Sequence, residues 1–194
     1  MTDSKFLAYV LRHDPGAIGL RLDGAGWVGV ESVLTALAAH GRPLDADRLD
    51  RLVAGPDKQR FEIHGGRIRA AQGHSIAVDL GLPPAEPPTV LYHGTVDRLL
   101  DRILVEGLRQ MGRRHVHLSG EPATARAVGA RRGRPVVLTV DAAGLHAGGQ
   151  LFHRAANGVW LTLHVPASHL TVLQGSLGHD RSRCGGPGAG SVSG

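Results

Sequence analysis

The chain has 194 residues, which is enough for two compact lobes, and apolar side chains make up 42% of it, so each lobe can bury a mainly aliphatic core. No apolar run approaches the roughly 18 residues of a membrane span, the start lacks a signal-peptide pattern, and Cys184 is the only cysteine. These features exclude an internal disulfide and a cysteine-ligated metal site, and we expect a soluble, cytoplasmic protein.

The net charge of +5 lies entirely in the second half of the chain. Residues 1–85 carry ten basic and ten acidic side chains, whereas residues 86–194 carry twelve basic and seven acidic ones. All but two of the 22 basic residues are arginines, whose planar guanidinium groups suit bidentate binding of phosphate. The composition fits a nucleic-acid or nucleotide ligand, although a GC-rich genome produces the same arginine bias.

The first part of the chain predicts three helices followed by a β-hairpin. Apolar residues recur at helical spacing in residues 4–15, 30–41 and 45–55. Ser4 or Asp3 is expected to cap the first of these helices, and Asp45 the third. Phe61 and Ile63 then alternate with polar neighbours, and a histidine-glycine-glycine turn leads into a second strand. This order predicts a winged-helix-like lobe over residues 1–82.

A second lobe is predicted beyond a proline-rich linker. Residues 80–90 hold four prolines without periodicity, and we place the linker itself at residues 83–88. Strands are expected at residues 90–94, 115–119, 135–140, 150–155 and 159–165, and helices at residues 96–107 and 121–133. Leu99, Leu100, Ile103 and Leu104 are expected to form the buried face of the first of these helices. The fold class is therefore α+β, with a second lobe over residues 89–174 and a disordered Gly- and Ser-rich tail over residues 175–194.

Two basic sites fall in the first lobe. Arg12-His13 ends the first predicted helix, where a histidine can belong to a functional site or merely complement the helix dipole. Residues 58–75 hold a cluster of basic side chains around the predicted hairpin: Lys58, Arg60, Arg67, Arg69 and His74. Because alternate strand residues share a face, Arg67 and Arg69 should project together while Ile68 points inward. Such a hairpin can clamp phosphate, but it can equally be a solvated surface.

Two further candidate sites fall in the second lobe. The sequence Tyr-His-Gly-Thr at residues 92–95 places a histidine, a glycine and a hydroxyl at a predicted strand end. These groups suit the binding of a ribose or diphosphate, but they can equally form a turn that caps the next helix. His115 and His117 share one face of a strand that follows Arg113 and Arg114. No carboxylate or cysteine completes a metal-ligand set, and the arginines would repel a cation, so an anion or nucleotide site is favoured over a metal site.

Together these segments resemble one family, the NAD⁺-dependent RNA 2′-phosphotransferases of the Tpt1/KptA type. The matching segments run in the family's order over residues 4–172: SKFLAYVLRHDP, GLRLDGAGWVGVESVL, DKQRFEI, RIRAAQGHSI, VLYHGT, RRHVHLS, VGARRGRPVVLTVDA and NGVWLTLHVP. The resemblance implies an N-terminal winged-helix lobe, a C-terminal lobe related to ADP-ribosyltransferases, and an active site in the cleft between them.

The resemblance also implies roles for individual residues. Arg12, His13, Arg60 and Arg113 match the family's catalytic residues, with Arg114 the alternative to Arg113. Contacts to NAD⁺ would fall on His93, Gly94, Thr95, His117 and Ser119. Residues near the phosphate or ribose would be Arg69, Gln72, Gly73, His74 and Ser75. No metal is implied, and a monomer is expected.

The implied reaction removes an internal 2′-phosphate from RNA, such as one left at a splice junction in tRNA, in two steps. The phosphate displaces nicotinamide from NAD⁺ to form an RNA-2′-phospho-ADP-ribose intermediate. The ribose 2″-hydroxyl then attacks phosphorus, releasing 2′-hydroxyl RNA and ADP-ribose 1″,2″-cyclic phosphate. Two alternatives remain at this stage: ADP-ribosylation of a phosphorylated nucleic-acid end or of a protein, and a non-catalytic winged-helix nucleic-acid-binding protein. The three aspartates of residues 45–55 and the neutral first lobe disfavour the latter.

Overall fold

The computed structural model of the protein describes residues 1–55 and 60–174. The predicted tail, Cys184 and Lys58 lie outside the described residues. Within them the helices are α1 (Asp3–Arg12), α2 (Val30–Ala39), α3 (Ala46–Ala54), α4 (Leu100–Glu106), α5 (Pro122–Ala130) and α6 (Ala142–Ala147). The strands are β1 (Val28–Gly29), β2 (Phe61–His64), β3 (Arg67–Ala70), β4 (Val90–Val96), β5 (Val116–Leu118), β6 (Pro135–Asp141), β7 (His153–Arg154), β8 (Trp160–Thr162) and β9 (Leu170–Val172).

The strands form three small antiparallel sheets, so the fold is mixed α/β, as the pattern of elements predicts. The orders are β1-β3-β2, β4-β6-β9 and β5-β8-β7. Single bridges between Tyr92 and Ser119 and between Leu108 and Val165 add contacts outside the named strands.

The first core is built by α1–α3 and the first sheet. The helical period of α1 buries Leu7, Val10 and Leu11 completely, and Leu49 of α3 and Ile68 of β3 complete the centre. Each such side chain contributes roughly 1.5–3 kcal/mol when it leaves water. The predicted three helices and hairpin are confirmed here, whereas β1 was not expected because its two residues carry no periodic signal.

The prediction that Ser4 or Asp3 caps α1 is wrong, because both side chains bind neighbouring elements instead. The N-cap is Thr2, without a side-chain hydrogen bond. Asp3 instead accepts a hydrogen bond at 2.6 Å from Arg48 of α3, and the Ser4 hydroxyl accepts one at 3.3 Å from Arg60. Both side chains are used to join α1 to its neighbours. The predicted Asp45 cap of α3 is confirmed, since its carboxylate accepts the Arg48 N–H at 2.7 Å.

The second core lies between the other two sheets and α4–α6, with Phe152, Leu91 and Leu138 fully buried. The helix predicted from residue 96 begins later, because β4 continues to Val96 and a 3₁₀ turn follows at Asp97–Leu99. Leu99 and Leu104 are therefore not buried; they are 39% and 40% exposed, because the short α4 turns only the stripe of Leu100 and Ile103 to the core.

The proline-rich segment is anchored to the second core. Ala85 donates its N–H to the Phe152 carbonyl at 2.8 Å, and His153 Nδ1 donates to the Leu82 carbonyl at 2.8 Å. These bonds hold the connection between the two cores against β7.

Candidate functional site: an arginine and histidine cleft

The residues after β3 run alongside the end of α1, and this contact brings two predicted sites together. Ser75 donates its N–H to the Arg12 carbonyl at 3.0 Å, and its hydroxyl shares a 2.9 Å hydrogen bond with His13 Nδ1. Gly73 passes beside Arg12 with φ of +91°, and a Cβ there would lie 3.7 Å from the Arg12 Nε. The glycine thus allows the backbone conformation that sets Ser75 against His13.

Arg60 is placed by the β2–β3 hairpin, which follows it directly in the chain. Its carbonyl accepts the Ala71 N–H at 2.9 Å, which extends the β2–β3 ladder by one step. Its guanidinium donates to the Ser4 hydroxyl. Arg60 is therefore held at the start of β2, next to α1.

Positive charges converge on Arg12. Burial, then Arg113 and then Arg60 together lower the pKa of Arg12 to about 10. Its Nε is buried with no hydrogen-bond partner, and neither Arg12 nor Arg113 has an ion pair within the described part of the chain. Because uncompensated buried charge is costly, such a cluster indicates a site for an anion.

The structure separates Arg113 from Arg114. Burial lowers the pKa of His13, and Arg12 and Arg113 add to that effect. Arg114 instead acts on His74 and His115, whose pKa values it helps to lower after burial, and its N–H donates to the His74 carbonyl at 3.3 Å. Arg113 therefore acts on the Arg12-His13 pair, whereas Arg114 lines the pocket beside His74 and His115.

The histidines of β4 and β5 lie side by side. Tyr92 and Ser119 exchange two backbone hydrogen bonds of 2.9 and 2.8 Å, and His93 Nδ1 donates to the His117 carbonyl at 3.1 Å. Burial lowers the pKa of His93, and this outweighs its hydrogen bond to His117, which acts in the opposite direction. The ring is therefore neutral at pH 7, and its Nε2 is a hydrogen-bond acceptor.

His74 and His117 are also neutral and border one open pocket of about 290 Å³, together with His115 and Leu161. Burial lowers the pKa of His74 to about 4 and that of His117 to about 3, with Arg12 and Arg113 as the next causes respectively. The Nε2 atom of each ring is buried without a partner among the described residues. An unpartnered buried ring nitrogen indicates that a ligand or water can complete the site.

Gly94 has a packing role. The predicted strand end is wrong, since Tyr-His-Gly-Thr lies within β4. A Cβ on Gly94 would lie 1.7 Å from the Ala125 carbonyl oxygen of α5, so any side chain there would collide with that helix. Thr95 is buried as well, at 7% exposure. Among His93, Gly94 and Thr95, it is His93 whose side chain contacts β5, through the hydrogen bond to the His117 carbonyl.

Two of the predicted phosphate-contacting residues are engaged within the protein or buried. Arg69 donates to Glu62 from Nε at 3.2 Å and from Nη2 at 3.0 Å, and its guanidinium lies 4.5 Å from the Trp27 ring centroid. Arg67 is paired with Asp23 at 2.6 Å, so neither arginine of β3 has a free charge to offer. Gln72 has a buried Oε1 without a partner.

Arg132 acts on two residues of the site, although no role was predicted for it from the sequence. It contributes to the lowered pKa of Arg113, after burial, and to that of His93. The signal that could have pointed to it is Gly129, three residues earlier, whose lack of a side chain lets α5 approach β4.

Clustered arginines thus lie beside neutral histidines, an arrangement that would suit the binding of a phosphate group in a phosphoryl-transfer enzyme. The chain matches the model of the family described as RNA 2′-phosphotransferase, Tpt1/KptA family, over residues 1–164. It therefore belongs to that family of transferases.

Individual relatives agree with this assignment. A protein of Streptomyces coelicolor named "Probable RNA 2′-phosphotransferase" is 59% identical over 167 residues, covering 86% of this chain and 92% of the relative. Proteins with the same name from Agrobacterium fabrum and Acaryochloris marina are 57% and 46% identical, covering 87% and 88% of this chain and 92% and 96% of those relatives.

Neither a metal-ligand cluster nor a membrane-spanning helix occurs in the described residues. Within residues 1–55 and 60–174, no three histidine, cysteine, aspartate or glutamate side chains come together as a metal site would require. None of the helices in that part of the chain has the length and apolar content needed to cross a bilayer.

Proposed function

We propose that the protein removes a 2′-phosphate from RNA and transfers it to NAD⁺ as co-substrate. The observation that carries this proposal is that Arg113 and Arg60 converge on Arg12 next to His13, and that Arg113 also acts on the neutral His117 of β5. A 2′-phosphomonoester carries between one and two negative charges at neutral pH, and clustered guanidinium groups bind such a group bidentately.

The two cores supply the two sides of this cleft. We propose that residues 1–82 form a winged-helix-like lobe, supported by three helices and the β1-β3-β2 sheet around one core. Residues 89–174 would form an ADP-ribosyltransferase-like lobe around the second core, with residues 83–88 as the connection. In this arrangement Arg12, His13 and Arg60 come from the first lobe and Arg113 from the second.

NAD⁺ fits the second lobe because of its free hydrogen-bonding groups. The buried His117 Nε2 has no partner among residues 1–55 and 60–174, and the His93 Nε2 is an acceptor suited to a ribose hydroxyl. Ser119 lies next to Tyr92 on the same strand pair. We assign Gly94 and Thr95 to the wall of this subsite, because both are packed against α5.

The first step forms a bond between a phosphate oxygen and the ribose C1″ while the bond to nicotinamide breaks. Arg12, Arg60 and Arg113 orient the phosphate for this displacement, and its negative charge offsets the positive charge that develops on the ribose. In the second step the ribose 2″-hydroxyl attacks phosphorus, and the RNA 2′-oxygen leaves as ADP-ribose 1″,2″-cyclic phosphate forms.

His13 supplies the proton for the leaving RNA oxygen. Its lowered pKa leaves the ring neutral in the free protein, and a bound phosphate dianion would raise that pKa and protonate the ring. Ser75 orients the ring through its hydroxyl. Gln72 and His74 would line the substrate side of the cleft, whereas Arg69 is a positioning residue that joins β3 to Glu62.

The test is incubation of the purified protein with a short RNA that bears one internal 2′-phosphate, with and without NAD⁺, followed by mass spectrometry. Loss of one phosphate only with NAD⁺, together with nicotinamide and ADP-ribose 1″,2″-cyclic phosphate, would support the proposal. RNA that keeps ADP-ribose would favour ADP-ribosylation instead. Arg60→Ala should slow phosphate removal severely in a folded protein, and a normal rate in that variant would contradict the assignment.

A further inference from the structure

Helix α1 turns one stripe of side chains to solvent, and this stripe ends at His13. Lys5 and Tyr9 are the exposed residues of the helix, and His13 follows as its exposed C-cap. These positions are four residues apart, so they follow one another along one face, with about 6 Å between neighbours along the helix axis. The opposite face, with Leu7 and Val10, is buried in the first core and fixes the direction of the stripe.

Tyr9 is the most exposed aromatic residue of the protein. The chain has three phenylalanines, two tryptophans and two tyrosines, and all of them lie in the described residues. The others are buried or half-buried, whereas Tyr9 is 42% exposed. Its hydroxyl has no hydrogen-bond partner within residues 1–55 and 60–174. The ring therefore contributes little to the first core, and its exposed part can receive a ligand.

Tyr9 contacts the ring of the proposed proton donor. The Tyr9 carbonyl accepts the His13 N–H at 2.8 Å in the last turn of α1, and the two ring centroids lie 5.9 Å apart with their planes inclined by 44°. Since His13 Nδ1 is hydrogen-bonded to Ser75, Nε2 is the ring nitrogen left for the RNA. A phosphate bound at that atom would place the rest of its nucleotide within reach of the Tyr9 ring.

We propose that Tyr9 stacks on a nucleobase of the RNA substrate, namely the base of the nucleotide that carries the 2′-phosphate. The inference rests on the proposed function, because it uses the assignment of the 2′-phosphate to Arg12 and His13. Proteins bind unpaired bases by stacking them on aromatic side chains, and such a contact accepts any base because every base has a flat face. The site would therefore require a base at this position without reading its identity.

The rings of NAD⁺ are also planar and could stack on a tyrosine. Tyr9 belongs to the helix that packs in the first core, whereas the proposed NAD⁺ subsite lies on β4 and β5 of the second. Its ring contact is with His13, on the RNA side of the reaction. The position of Tyr9 therefore favours the RNA base over the dinucleotide.

The test is equilibrium binding, without NAD⁺, of two short RNAs that each bear one internal 2′-phosphate. They are identical except that the phosphorylated nucleotide of the second RNA lacks its base. The wild type should bind the intact RNA roughly 5-fold to 100-fold more tightly than the abasic one, the range that one stacked base contributes. Tyr9→Ala should bind both RNAs equally, with the wild-type affinity for the abasic RNA. Tyr9→Phe should keep the preference, because stacking uses the face of the ring.

Leu104→Ala is the matched control, because Leu104 is 40% exposed on α4, a helix that carries none of the cleft residues. It should keep the wild-type preference, and NAD⁺ binding should be the same in Tyr9→Ala and the wild type. An undiminished preference in Tyr9→Ala, an equal loss on both RNAs, or a loss of NAD⁺ binding instead would overturn the inference alone. A wild-type protein that binds the intact RNA no better than the same RNA without its 2′-phosphate would overturn the proposed function and the inference with it.

Discussion

Replacing Arg12 by methionine should make the protein more stable while abolishing phosphate removal. The Arg12 Nε has no partner, and its guanidinium faces Arg113 and Arg60. A lowered arginine pKa means that the folded state holds the charged form less well than the unfolded state does. The cost is therefore fully present at pH 7 and disappears only as the pH rises above about 10.

The size of the expected gain in stability follows from the lowered pKa of Arg12. A pKa lowered from 12.5 to about 10 corresponds to about 3 kcal/mol, at about 1.4 kcal/mol per pKa unit. Against this, the positive charge at the C-terminal end of α1 stabilises the helix by roughly 0.3–1 kcal/mol. Residual hydration of the partly exposed side chain reduces the remainder. Methionine keeps most of the apolar part of the arginine side chain, so we expect a net gain of about 1–2 kcal/mol and a rise in Tm of about 2–8 °C.

The assay is urea unfolding at pH 7 in phosphate-free buffer, repeated with added phosphate. Phosphate should stabilise the wild type by mass action and leave Arg12→Met almost unchanged, because the variant lacks a central part of the anion site. Arg102→Met is the control: it removes a solvent-exposed pair with Glu106 and should leave stability nearly unchanged. If Arg12→Met lowers stability by more than about 1 kcal/mol without phosphate, the reasoning from uncompensated charge is wrong.

Three other predictions follow from the same geometry. Gly94→Ala should lower stability by about 3 kcal/mol or prevent folding, because its Cβ would collide with a carbonyl of α5. Its control is Gly112→Ala, whose Cβ would meet nothing within 4 Å and which should leave Tm nearly unchanged in thermal unfolding. Because His74 is buried and neutral, stability should fall by up to about 1.4 kcal/mol per pH unit as the pH is lowered from 6.5 to 4. Chemical denaturation of His74→Gln should show a smaller dependence of stability on pH. An unchanged dependence would mean that this ring does not take up a proton on unfolding. Arg113→Ala should reduce the rate of phosphate removal by roughly 10²-fold to 10³-fold and Arg114→Ala by less than about 10-fold, and the reverse order would show that the catalytic assignment is inverted.

Elements with a periodic pattern could be predicted from the sequence, and elements defined by distant partners could not. The helices α1 to α3 and the hairpin follow from local spacing and turn residues. The strands β1 and β9 have two and three residues, and each exists because it pairs with a strand far away in the chain. For the same reason the two predicted strands around residues 156–158 shrink to β7 and β8.

The side-chain partners at the site also depend on tertiary contacts. The sequence could place Arg67 and Arg69 on one face of a strand, but not the carboxylates of Asp23 and Glu62 that bind them. It left Arg113 and Arg114 as alternatives, because both belong to an irregular segment in which spacing does not determine direction. The position of that segment depends on the hydrogen bond from the Arg114 N–H to His74, 40 residues earlier.

The arginines of this chain divide into two groups that composition cannot distinguish. One group is paired with carboxylates and joins elements of the fold: Arg42, Arg48, Arg67, Arg69 and Arg102. Four of these five lie in the first half of the chain, which explains why that half is electrically neutral although it contributes to the cleft. In the other group, whose members have no ion pair in the described residues, Arg113 acts on Arg12, whereas Arg109 is exposed and donates to the Glu106 carbonyl. Since ion pairing neutralises a guanidinium, the pairing pattern combined with burial narrows the candidates for an anion site further than the net charge of +5 does.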